Sequence, residues 1–167
     1  VLVRCAGHPA LLRRAGRWLD RSRRGPKIAR LDRVLAGEVQ SAYLDPLGKG
    51  AHREGALLAA AGGWLPDSLP HRGFGSGSSQ LIDAGLAERI DGALVASPLV
   101  RVAQWPEPSE AWRRSALSEL RRWRVLDRSL VRLAEAHLFH GLGQDDEALE
   151  AAREAQRASR GKVPSLV

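Results

Sequence analysis

A chain of 167 residues that is 44% hydrophobic and carries a net charge of +7 is long enough to bury a core and too apolar for disorder to be its default. Its apolar runs, such as Ala56 to Ala61, fall far short of the roughly 18 residues that suggest a membrane span, and no secretory pattern follows Arg4, so a cytoplasmic protein without a membrane segment is expected. The single cysteine, Cys5, excludes an intrachain disulfide and a multi-cysteine metal cluster.

From Pro9 to about Ser22, the residues Leu11, Leu12, Ala15, Trp18 and Leu19 recur at the spacing of one helix face, with Arg13, Arg14, Arg17 and Arg21 on the other side. A second helix is predicted over about 26–36, with Ile28, Leu31, Val34 and Leu35 as its buried stripe and Gly37 placed to cap its end. Residues 38–51 read as an irregular connection broken by Asp45–Pro46 and Gly48-Lys49-Gly50. An apolar helix over about 52–61 then ends at Gly62–Gly63. Residues 62–79, with Pro66, Pro70 and the run from Gly73 to Ser79, read as a loop.

Leu81 and Ile82 open a short helix that stops at Gly85. Leu86 to Ile90 and Ala93 to Ala96 pair as strands across Asp91–Gly92, the strongest hairpin signal in the chain. Pro98 restarts the chain for a short segment, and Trp105 to Glu110, with two prolines, reads as a linker. Ala111 to Arg124 and Leu126 to Leu142 are helical by apolar spacing, the first with Trp112, Ala116, Leu120 and Trp123 on one face. In a last helix, about 145–159, Ala148, Ala152 and Ala155 fall at i, i+4 and i+7. They face Ala136 and Phe139 across a turn at Gly143, and such small side chains let two backbones approach closely. The expected fold is therefore mainly α, with a helical arm over 1–50, a unit with a small β-hairpin over 51–104, a linker over 105–110 and a helical bundle over 111–160.

The pattern of Ala136, Phe139, Gly143, Ala148, Ala152 and Ala155 resembles a tetratricopeptide (TPR) unit of about 34 residues, which implies a surface for a protein partner. Two further blocks are similar to parts of one family. Arg4-Cys5-Ala6-Gly7-His8-Pro9-Ala10-Leu11-Leu12 resembles the Gly-x-Pro turn and following helix of the NB-ARC class of signal-transduction ATPases with numerous domains (STAND). Leu81 to Arg89, continuing through Ser97 to Ala103, is similar to the winged helix that follows it in that class, and TPR units commonly come next in bacterial members. The resemblance implies the C-terminal part of a signalling or transcriptional regulator: arm, winged helix and TPR-like repeat.

The chain departs from the family at its chemistry. No G-x-x-x-x-G-K-[ST] phosphate loop occurs, and Gly48-Lys49-Gly50 lacks both the glycine spacing and the hydroxyl that would hold magnesium. A non-catalytic protein without a cofactor is expected. Gly7 and Pro9 would contribute to a nucleotide site only beside an ATPase core, separate or lost. Ser97 stands where relatives often carry a histidine.

The charge invites a nucleic-acid reading as the alternative. Residues 1–60 carry 12 basic and 5 acidic side chains, whereas residues 61–108 carry 3 and 5. Arg13, Arg14, Arg17 and Arg21 suit non-specific phosphate contact, or a solvated helix face. Within the winged-helix-like segment, the helix around Ser78 to Ala84 offers only Gln80, beside the acidic Asp83, for reading bases. His8, His52, His71, His137 and His140 have no metal-ligand spacing, and no metal is expected.

Overall fold

Apolar side chains one or two helical turns apart set the first elements of the computed structural model, which describes residues 11–13, 15–17, 28–67, 77–101, 103–122 and 128–160. Residues 11–13 and 15–17 are helical, with Leu11 and Ala15 buried and Arg13 and Arg17 exposed. Helix α1, Ile28–Val39, buries Leu31, Leu35 and Val39 at i, i+4 and i+8. It runs through Gly37, the expected cap. An interior glycine costs about 1 kcal/mol relative to alanine, and continuing the buried stripe to Val39 offsets that cost.

The connection expected over 38–51 is also shorter than its breakers suggest. The chain continues from α1 into a π-turn, Gln40–Leu44, in which the Asp45 N–H donates to the Gln40 carbonyl at 2.9 Å. The wider turn rephases the helix so that Leu44, fully buried, joins the stripe five residues after Val39. Helix α2, Lys49–Ala60, then buries Ala51, Gly55, Ala56, Leu57 and Leu58. It ends as expected, with the Gly62 and Gly63 amides donating to the Ala59 and Leu58 carbonyls at 3.1 and 2.8 Å.

Part of the expected loop over 62–79 is a strand. Strand β1, Trp64–Pro66, pairs antiparallel with β3, Ala93–Ala96, through Trp64↔Val95, Leu65↔Leu94 and Pro66↔Ala93. Pro66 is tolerated because β1 is an edge strand, whose outer side needs no donor. Strand β2, Ala87–Ile90, pairs with the other side of β3, giving the order β1-β3-β2. The β2–β3 turn is the predicted one: Asp91 at φ 48° and Gly92 at φ 75° both take the left-handed conformation that a two-residue hairpin requires.

Helix α3, Gly77–Asp83, precedes this hairpin and begins earlier than Leu81. A 3-10 turn, Pro98–Arg101, follows it. The proline-containing stretch beyond is irregular but pinned: Trp105 donates its indole N–H to the Val100 carbonyl at 3.0 Å, and a Cβ on Gly55 would lie 2.3 Å from the Trp105 ring. Helices α4 (Glu110–Arg122), α5 (Arg128–Gly141) and α6 (Asp145–Arg160) complete the chain. One cluster of buried apolar residues runs from Leu11 to Ala151 and includes all three strands and helices α1 to α6. The protein is mainly helical with a small three-stranded antiparallel sheet, and no described helix is long and apolar enough to cross a membrane.

Candidate functional site

The three C-terminal helices bring together more of the predicted site residues than any other part of the molecule. Helix α5 buries Val131, Ala134, Glu135, Ala136, Leu138 and Phe139. It closes at Gly143, φ 71°, where the Gly143 and Gln144 amides donate to the His140 and Phe139 carbonyls at 2.9 and 3.0 Å. On α6 the buried positions are Ala148, Ala151 and Ala155, at i, i+3 and i+7. Ala152, assigned to the packed stripe by its spacing, is exposed. An i, i+4 and an i, i+3 step both stay on one helix face, so alanine spacing alone leaves the choice open. Arg132 bridges α5 and α6 by bonding both Glu135 at 2.6 Å and Glu154 at 2.7 Å. Glu135 is almost completely buried, and its hydrogen bond is the leading cause that raises the Arg132 guanidinium above its ordinary range.

Helix α4 differs from expectation in the same way. Its buried face is Arg113, Ala116, Leu117 and Leu120, whereas Trp112 is only half-buried and lies against the Arg53 guanidinium at 4.6 Å. Trp123 lies outside the described residues. Burial of Arg113 is offset by its partners, the Gly141 carbonyl and the Glu107 carboxylate. Gly141 makes room for it: a Cβ there would sit 2.9 Å from the guanidinium.

Between α4 and the end of α5 lies an open cleft of about 480 Å³. Leu117, Phe139 and Leu142 supply its apolar lining, Ser118 and Gln144 its polar groups, and Arg114, Arg121 and Arg122 its charge. Arg114 donates to Glu110 at 2.8 Å and Arg122 to Glu119 at 3.0 Å, each within one turn of α4. Arg121 instead lies over the Phe139 ring at 5.7 Å, a cation–π contact. Beyond Gln144, the first turn of α6 carries Asp145, Asp146 and Glu147, with Asp145 bonded to His140 at 2.9 Å. Phe139 was singled out by the sequence as a partner-binding or packing residue; the arginines around it were not, because their positions face it only after α4 folds back.

Elsewhere the predicted residues do not converge. Arg13 and Arg17 sit one turn apart on an exposed face; Arg14, Arg21, Gly7 and Pro9 lie outside the described residues. Gln80, the base-reading candidate, has its side-chain oxygen engaged by the Gly48 N–H at 2.8 Å. No group of three or more His, Cys, Asp or Glu side chains among the described residues could hold a metal ion.

Glu54, like Arg113, escaped the sequence reading. Glu54 of α2 is 3% exposed and accepts the Gly77 N–H, at the start of α3, at 3.1 Å. Burial pushes its carboxyl up to about 7, against the Gly77 and Ser78 amides, which pull it down. A carboxylate one helical turn from both Ala51 and Leu58, on the apolar face of α2, was the signal available. The chain matches no protein-family model, no curated protein and no solved structure.

Proposed function

We propose that this chain is a non-catalytic regulatory module that binds a protein partner through α4, α5 and α6, built like the C-terminal half of a STAND-type regulator. The observation that carries the reading is the open cleft beside Phe139, where apolar and charged side chains meet at the surface of the last three helices. Two features of the chain path support the family comparison. The order α2, β1, α3 and β2–β3 hairpin, with the first strand beside the last, suits a winged helix. The α5–α6 hairpin, turned at Gly143 and lined by Ala148, Ala151 and Ala155, suits a TPR-like unit, which stacks on neighbours to complete its core.

On this reading the module works in the cytoplasm, in transcriptional or other signalling. The test is selection of a displayed peptide library on the full chain, repeated on Ser118→Trp, which fills the cleft from an exposed position. Peptides enriched on the parent and lost on Ser118→Trp are the expected result; the same peptides on both would place the binding surface elsewhere.

A second reading, a DNA-associated regulator, draws on the exposed pair Arg13 and Arg17. It expects non-specific duplex binding that weakens steeply between low and physiological salt and falls in a double glutamine variant of that pair. Binding insensitive to salt, or absent, removes it.

A further inference from the structure

The geometry points to the cleft between α4 and the end of α5 as a seat for an acidic peptide segment, with an aspartate or glutamate against Arg121 and a neighbouring apolar side chain on Leu117 and Phe139. This inference rests on the partner-binding reading and adds the chemistry of the partner. Of the three guanidiniums at the cleft, Arg114 and Arg122 are already held by Glu110 and Glu119. Among the described residues no carboxylate is paired with Arg121, whose side chain is exposed and lies over Phe139 at 5.7 Å. An arginine laid on an aromatic face keeps its planar fork of N–H donors free for an oxyanion while the ring limits its rotamers, so less entropy is lost when a carboxylate arrives.

The volume favours a pair of side chains. About 480 Å³ lies in the range of ligand clefts, roughly 300–1,000 Å³. The charge around it decides between a peptide and a nucleic acid. Glu110 and Glu119 neutralise two of the three arginines, and the residues that follow Gln144 are Asp145, Asp146 and Glu147, all acidic. A phosphate backbone would bring continuous negative charge against them. A peptide brings one carboxylate to Arg121 and turns its remaining groups away, or answers the rim with basic side chains of its own.

The test uses the full chain and fluorescence polarisation with three labelled probes: a short peptide with a single aspartate beside a leucine, its counterpart with asparagine for aspartate, and an oligothymidylate. The aspartate peptide should bind about tenfold more tightly than the asparagine peptide at low salt, and the preference should shrink at high salt. Arg121→Gln should abolish the preference while leaving the asparagine peptide unchanged; Arg121→Lys should retain part of it. Melting curves show that each variant is folded. A preference that survives Arg121→Gln overturns the assignment. Equal binding of both peptides, lost in Ser118→Trp, overturns the acidic reading and leaves α4–α6 as a binding surface. Failure of every peptide overturns both. Tighter binding of the oligonucleotide, lost in Arg121→Gln, assigns the cleft to phosphate instead.

Discussion

The two hairpins of this molecule, one of strands and one of helices, both turn on glycine, yet their turns determine different amounts of structure. In the β2–β3 hairpin the two-residue turn at Asp91–Gly92 fixes the register outright, since Ile90↔Ala93 pairing follows from its length and every later pair follows from the first. In the α5–α6 hairpin Gly143 fixes only where α5 stops. Which alanine of α6 turns inward is set by packing against α5, across which Arg132 also reaches Glu154. A strand has two faces and a helix has a continuum of them, so a local turn is sufficient for the first and insufficient for the second.

The strongest way to break that comparison is at the helical interface. Ala151→Arg forces a long charged side chain into a position only 4% exposed and should cost about 2–4 kcal/mol, read as a lowered urea midpoint. An unchanged midpoint would mean that α6 packs in another phase. A second test reaches the contact that neither hairpin governs, between α2 and α3. Because folding raises the Glu54 carboxyl from 4.5 to about 7, its contribution to stability is fully present below pH 4.5 and is lost as pH rises to about 7. The loss should amount to about 3 kcal/mol and disappear in Glu54→Gln, so stability measured against pH in the two proteins should diverge across that window. Parallel curves would exclude the shift.

Gly92→Val tests the strand turn and should cost about 1–2 kcal/mol, because a β-branched residue resists the left-handed conformation seen at φ 75°. Thermal melting reads it, and no loss would contradict a turn that dictates register. The smallest effect sharpens the phase of α6: Ala152→Arg and Glu150→Arg, both at exposed positions, should each shift stability by less than about 0.5 kcal/mol. A large loss from Ala152→Arg beside a small one from Ala151→Arg would restore the phase that alanine spacing alone suggests.

The same division explains what could be read from residues alone. The Asp91–Gly92 hairpin and the ends of α2, α3 and α5 at Gly62, Gly85 and Gly143 were legible, because each depends on a few consecutive residues. Strand β1 was not: three residues with a terminal proline show no alternation, and Trp64–Pro66 is a strand only because β3 offers it a partner. Nor were the buried charges. Arg113 lies on the inner face of α4 because Gly141 and Glu107 meet it there, and Glu54 is buried because the amides of α3 arrive against it. Phe139 stood out by type and spacing, whereas Arg121 gains meaning only from the ring it covers.

The π-turn at Gln40–Leu44 makes this part of the chain sensitive to one kind of genetic change and indifferent to another. Ser41 and Ala42 are exposed, so codon substitutions there touch no packed neighbour. A one-codon deletion is different. It would return the segment to α geometry and swing Leu31, Leu35 and Val39 by about 100° relative to Leu44, taking half of a continuous stripe off the core. Across descendants of this gene, residues 41 and 42 should vary freely in composition while Leu44 stays apolar and the number of residues from 40 to 44 hardly changes, the reverse of a surface loop.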